Sequence, residues 1–160
     1  MVFSTRASKG ASQIKKVYVK ERRCLACHPC EFYCAAANSG APNMIKAFKS
    51  GKKPIPRIQV EEGSEVSFAV QCRHCDGKAC VKGCISGALS IVDGVVVCDE
   101  NRCVGCGTCV LSCPFGCIVI DEDNHRIQKC DLCTKNHDGE PACVQGCPNN
   151  AIVFEERRAE

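Results

Sequence analysis

Tryptophan is absent, tyrosine occurs twice, and aromatic residues make up 5% of the 160-residue chain. Little is left to stack on bases, so nucleic-acid binding is not expected. No G-x-G-x-x-G run precedes a helix pattern, so no flavin or nicotinamide site is evident. Residues 1–11 carry no apolar segment of the secretory kind. Arg22-Arg23 is followed by a cysteine rather than an apolar run. The expected compartment is therefore the cytoplasm. One uncharged run, Cys103 to Ile120, reaches 18 residues, the lower limit of a membrane span. It holds five cysteines, three glycines and a proline, which suits a metal-binding loop, so no span is expected.

What the chain does have is cysteine, 18 residues of 160. That density suits a disulfide scaffold in a short secreted protein, but the compartment argues otherwise. Closely spaced C-x2-C loops also pair poorly within themselves, because disulfide geometry is narrow. The segment Cys103-Val-Gly-Cys106-Gly-Thr-Cys109-Val-Leu-Ser-Cys113-Pro114 reads C-x2-C-x2-C-x3-C-P, the ligand run of bacterial iron–sulfur ferredoxins. Three thiolates on one tight loop can reach three corners of a 4Fe–4S cube, and the fourth serves a neighbouring cube. Gly105 and Gly107 let the backbone curl around the inorganic core, and Pro114 stops the helical turn.

The pattern recurs at Cys24, Cys27, Cys30 and Cys34. It recurs with a wider middle gap at Cys72, Cys75, Cys80 and Cys84, and wider still at Cys130, Cys133, Cys143 and Cys147. Sixteen of the 18 cysteines fall into four sets of four. Zinc would accept such sets but needs neither a third cysteine at x2 nor a fourth before proline. A zinc-binding or redox-sensing module is the weaker alternative.

After three of the fourth-position cysteines the same step follows: Cys84-Ile-Ser-Gly-Ala88, Cys113-Pro-Phe-Gly-Cys117 and Cys147-Pro-Asn-Asn-Ala151. Cys117 occupies an alanine slot, and Cys98 lies in an apolar strand. Both are expected as small buried residues, not ligands. His28 and His74 lie inside complete cysteine sets and are expected beside the metal or exposed, not as iron ligands.

The fold class expected is α+β, made of short pieces. Residues 1–12 read as a loose arm. Strands are predicted at Ile14–Lys20, Ile58–Val60, Val66–Val70 and Ala151–Phe154. Ala88–Val92 and Val95–Cys98, joined by Asp93-Gly94, predict a hairpin. A second hairpin joins Cys117–Ile120 to Arg126–Gln128. Helices are predicted at Glu31–Ala37 and within Ala41–Gly51. The basic residues Lys15, Lys16, Lys20, Arg22 and Arg23, with Lys46, Lys49, Lys52 and Lys53, read as a solvated face offsetting cluster charge. The formal charge is +3. An oxidised cluster with its thiolates carries about −2, so four would bring the total to roughly −5.

The stretch from Arg23 to Phe154 resembles the four-cluster, polyferredoxin-type iron–sulfur subunits of multi-subunit oxidoreductases. Relatives of that kind serve carbon monoxide dehydrogenase, formate dehydrogenase, hydrogenase and tungsten aldehyde oxidoreductase. Cys72-Arg-His-Cys75, Cys80-Val-Lys-Gly-Cys84 and Cys113-Pro-Phe-Gly look closest to the carbon monoxide dehydrogenase-associated type. Spacing alone leaves open which groups pair. The resemblance implies Cys72, Cys75 and Cys80 with Cys113, and Cys103, Cys106 and Cys109 with Cys84. It likewise implies Cys24, Cys27 and Cys30 with Cys147, and Cys130, Cys133 and Cys143 with Cys34.

Four 4Fe–4S clusters and two ferredoxin-like modules follow from it. An inner module, 64–127, would be inserted in an outer one, 1–63 with 128–160. The implied role is a non-catalytic electron-transfer subunit. Its partners would be a nickel, tungsten or molybdenum enzyme subunit and a second electron carrier or flavoprotein. Self-assembly within a complex stays open, and a free soluble polyferredoxin is the alternative.

Elements this short bury little, so much of the folding energy should come from metal. Chelating the metal from the loaded protein should therefore abolish its slow amide hydrogen exchange. Retention of the loaded exchange pattern would show a core that stands without metal.

Overall fold

The computed structural model describes residues 14–134 and 139–157. The arm read at residues 1–12 and the last residues of the charged tail lie outside the described residues. Among the described residues the architecture is α+β, as expected, in four two-stranded antiparallel sheets, five α-helices and one 3-10 turn at Glu21–Arg23. The strands are β1 (Lys16–Val19), β2 (Ile58–Glu62), β3 (Ser67–Gln71), β4 (Leu89–Val92), β5 (Val95–Cys98), β6 (Ile118–Ile120), β7 (Ile127–Lys129) and β8 (Ile152–Glu155). The helices are α1 (Pro29–Asn38), α2 (Met44–Lys49), α3 (Ala79–Lys82), α4 (Thr108–Leu111) and α5 (Ala142–Gln145). Among the described residues no helix is long and apolar enough to cross a membrane.

Three sheets are hairpins, β2–β3, β4–β5 and β6–β7. The tightest, β4–β5, turns at Asp93 (φ +48°) and Gly94 (φ +82°), the two left-handed positions that a two-residue turn of this type demands. The fourth sheet joins the ends of the chain. β1 pairs with β8 with Val17 opposite Phe154 and Val19 opposite Ile152.

Buried apolar side chains form two clusters. One contains Val17, Ile58, Ala69, Val95, Leu132 and Ile152 around Cys30, Cys34, Cys130 and Cys143. The other contains Leu89, Val96, Ile118 and Ile127 around Cys109. Cysteine is thus a main constituent of both cores.

Helix α1 starts earlier than Glu31, because Pro29 sits at its first turn, where a missing N–H costs nothing. It has ten residues, whereas α3, α4 and α5 have four each. Asn43 caps α2, its side chain accepting from the Lys46 amide at 2.9 Å. The linker after α2 is tied down by Lys52, whose Nζ lies 3.0 Å from Asp121 and 3.3 Å from Asp123.

Helices α1 and α5 pack through Tyr33 and Gly146. A Cβ at Gly146 would lie 2.5 Å from Cγ of the Tyr33 ring. Gly146→Ala should therefore force the two helices apart and cost about 1–3 kcal/mol. The thermal unfolding midpoint of the loaded protein should fall, and Tyr33→Ala in the same chain should recover part of it. An unchanged midpoint would show that Tyr33 swings clear freely.

Candidate metal centre

Each cysteine group is built on a left-handed residue placed just before its second cysteine. These are Ala26 (φ +51°), His74 (φ +44°), Gly105 (φ +67°) and Leu132 (φ +59°). Only Gly105 announces this in the sequence. A left-handed residue after a right-handed or extended one turns successive N–H groups towards one point and makes a concavity for an anion. For Ala26, His74 and Leu132 the conformation costs about 1–2 kcal/mol each, so something must hold it. A second left-handed residue, His28, Lys78 or Gly107, starts α1, α3 or α4. At α5 its place is taken by extended Pro141.

The third and fourth cysteines stand one helical turn apart. Cys80, Cys109 and Cys143 lie in α3, α4 and α5. Each helix closes with the same amide bonds: Gly83 to Ala79, Ser112 to Thr108, and Gly146 to Ala142, followed by Cys84 to Val81, Cys113 to Val110, and Cys147 to Val144. In the first group Cys30 and Cys34 both lie within the longer α1.

The fold carries each fourth cysteine to a different group. Cys72, Cys75, Cys80 and Cys113 line one cavity of about 190 Å³, together with His74, Val96, Phe115 and Cys117. Cys24, Cys27, Cys30 and Cys147 line a second pocket. The Cys143 thiol is pushed well up by burial and then by Cys130, Cys34 and Cys133 beside it. Around Cys109, burial raises the thiol, and Cys84 and Cys103 add to it. Cys106, exposed, is held below the usual thiol value by hydrogen bonds at Thr108, and it too faces Cys84.

Burial dominates the chemistry of the deeper thiols. It pushes Cys30 and Cys130 up to about 12 and Cys34 to about 11. Such groups are protonated near neutrality and ionise only against a strong local positive charge. Backbone donors are already aimed at several sulfurs. The Arg57 amide donates to Cys34 Sγ at 3.3 Å, Leu132 to Cys130 Sγ at 3.4 Å and Ala151 to Cys147 Sγ at 3.2 Å.

His74 supplies another donor. It is 1% exposed, and its Nδ1 accepts from the Val96 amide at 3.1 Å. The neutral ring therefore carries its proton on Nε2, which is buried without a partner beside the thiols of the cavity. Burial, with Lys129 nearby, lowers its pKa to about 3 and keeps it neutral. His28 differs. Its two ring nitrogens lie 2.9 Å from Glu31 and 2.9 Å from Glu62, tying α1 to β2.

Cys98 and Cys117 are half-buried rather than fully buried, and Cys117 thereby differs from Ala88 and Ala151 in the equivalent slots of the repeat. The physical reason is their neighbours. Cys117 faces the cavity beside Cys113 and Cys72, and Cys98 lies beside Cys103 and Cys109. Burial pushes both up to about 12.

Among the described residues, no three cysteine, histidine or carboxylate side chains converge on a point that would hold a single metal ion. Four sulfurs around one zinc would lie about 3.8 Å apart. Here Cys72, Cys75, Cys80 and Cys113 line a cavity of about 190 Å³, and backbone amides donate to Cys34, Cys130 and Cys147, an arrangement that fits the larger anionic 4Fe–4S unit.

Residues 65–157 match the family model described as a 4Fe-4S dicluster domain, and the chain belongs to that family. It is an iron–sulfur electron-transfer protein with a ferredoxin-like 4Fe–4S domain. It is 36% identical over 150 residues to an iron–sulfur protein of Rhodospirillum rubrum, covering 85% of this chain and 79% of that one. It is 33% identical to the electron transport protein HydN of Escherichia coli, covering 84% of each chain. The putative oxidoreductase AegA of Escherichia coli is 34% identical over 85% of this chain, which spans only 21% of AegA. Among solved structures, the active site complex BamBC of benzoyl coenzyme A reductase as isolated is similar. That likeness has a TM-score of 0.51 and 25% identity over 92% of this chain and 80% of that chain.

Thiols raised by burial must lose protons to bind iron, so loading releases protons and affinity falls as pH falls. Acidifying the loaded protein from neutrality should release iron, seen as loss of the visible charge-transfer absorption. Reloading at constant neutral pH should liberate close to one proton for each thiol that becomes a ligand. Loading without proton release would mean that the thiols are already ionised.

Proposed function

We propose that this chain holds four 4Fe–4S clusters and serves as the electron-transfer subunit of an oxidoreductase complex. The observation that carries the reading is the four-fold recurrence of one local design. Each left-handed cysteine loop faces a fourth cysteine from another group. The ligands would be Cys24, Cys27, Cys30 and Cys147; Cys34, Cys130, Cys133 and Cys143; Cys72, Cys75, Cys80 and Cys113; and Cys84, Cys103, Cys106 and Cys109. Each cluster supplies reversible one-electron chemistry when bound.

The chain's own residues bury the sites, donate N–H groups to sulfur and fix the order of the sites. Cys30 lies within electrostatic reach of Cys143, and Cys130 of Cys72, so the first set adjoins the second and the second the third. Helices α3 and α4, each running into cysteines of both remaining sets, join the third to the fourth. Cys27 at one end and Cys106 at the other are exposed, where external partners can approach.

The module reading draws support from one feature of the topology: β1 pairs with β8 across the whole chain. The cores do not divide at the same bounds, since Ala69 and Val95 pack with Val17 and Ile152. The inner module would then be 64–127, enclosed by 1–63 and 128–160. A catalytic partner is suggested by the resemblance to carbon monoxide dehydrogenase-associated subunits and by the reductase complex among the similar structures. A free shuttle is the second reading. It is favoured by HydN, an electron transport protein with 84% of its length covered by this chain.

Elemental analysis of the protein isolated without oxygen from its host tests both. About 16 iron atoms per chain are expected, falling to about 12 in Cys106→Ser. Nickel, tungsten or molybdenum co-purifying would favour the subunit reading, and iron in a lone monomer the shuttle. Stoichiometric zinc in place of iron would overturn the proposal.

A further inference from the structure

Lys129, at the end of β7, is 3% exposed. Lysine is almost never this buried unless something offsets its charge. No carboxylate among the described residues pairs with it. Its ammonium donates instead to two carbonyls, Val96 at 2.6 Å and Cys130 at 2.5 Å. Val96 lines the cavity of Cys72, Cys75, Cys80 and Cys113. Cys130 belongs to the set with Cys34, Cys133 and Cys143. The ammonium therefore bridges the walls of two thiol sets. Two carbonyl dipoles alone leave a full charge inside a small core, and the anions able to balance it are the thiolates on either side.

We infer that Lys129 is a buried counter-charge shared by these two cluster sites, and that it raises the reduction potential of both. The inference rests on the four-cluster reading. Reduction adds one negative charge to a site that is already anionic. A fixed positive charge nearby favours the reduced form over the oxidised one. The ammonium also offsets the repulsion between the two sites, which allows them to lie in one core. Arg57 acts from another side. Its backbone amide reaches Cys34, but its guanidinium is committed to Asp131 at 3.2 Å and Gln128 at 3.0 Å. Among the described residues Lys129 has no such carboxylate.

Lys129→Gln keeps a donor near the two carbonyls and removes the charge. Lys129→Arg keeps the charge. The experiment is an anaerobic redox titration of each loaded protein, followed by electron paramagnetic resonance, with iron counted first. In Lys129→Gln two midpoints should move to more negative potential and the other two should move less. In Lys129→Arg all four should stay close to those of the unmodified protein. Full iron with no midpoint moved, or with all four moved equally, overturns the inference while leaving the cluster reading intact.

If Lys129→Gln loses iron, Lys129→Arg decides the matter. Full loading with unmoved midpoints supports the counter-charge, whereas equal loss of iron assigns Lys129 to packing and overturns it. An unmodified protein with iron for two clusters or fewer would instead overturn the four-cluster reading, and this inference with it.

Discussion

Burial of ionisable sulfur is the constraint on which the structure depends. Cys30, Cys34, Cys109, Cys130, Cys133 and Cys143 are buried, and most of them are core residues. As thiols they pack like small apolar groups. As thiolates, unpaired, they would carry a desolvation penalty large enough to unfold a chain of this size. Metal resolves the conflict, because a cationic core lets the same atoms be buried and ionised together. The short elements are consistent with this. Helices of four residues and two-stranded sheets are marginal by themselves, so their shape is held by what they surround.

Local geometry follows from the same need. A helical turn sets the third and fourth cysteines of a group four residues apart, so short-range sequence fixes their spacing whatever the loop lengths elsewhere. In the proposed arrangement those two cysteines serve different sites, which makes each helical turn a rivet between neighbours. Cys34 and Cys147 would then act over the longest span, drawing residues near 30 to residues near 140. The β1–β8 pairing closes the chain on the same line. A contact so distant in sequence costs loop entropy that two short strands alone offset poorly, and shared metal would offset it far better.

Much of this was legible in the residues. The hairpins follow from period-two patterns and the Asp93-Gly94 turn, and the cysteine sets follow from spacing. What stayed hidden has physical reasons. Glycine marks a left-handed residue, so Gly105 was readable, but Ala26, His74 and Leu132 adopt the same conformation without a marker. The widened gaps, Cys75 to Cys80 and Cys133 to Cys143, conceal that α3 and α5 repeat the turn of α4. Cys117 shares its slot with Ala88 and Ala151, yet a sulfur beside Cys113 faces an open cavity rather than a packed wall. One missed residue did leave a trace. In Ile127-Gln128-Lys129 the strand period puts Lys129 on the face of Ile127, and that face is buried.

That trace bears on how a chain of overall positive formal charge accommodates anionic sites. Basic residues on the surface, such as Lys46, Lys49 and Lys53, act through solvent and are screened over about 10 Å in dilute salt. Their effect on a buried site is weakened by that screening. Interior charges are different, because low polarity extends and strengthens them. Arg57 is held by Asp131, so the pair adds little net charge, whereas Lys129 pairs with no carboxylate among the described residues. Unequal placement of two interior cations is therefore enough to make sites of one local design differ in potential. Identical loops can then carry a graded series, with the grading set by residues that touch no metal.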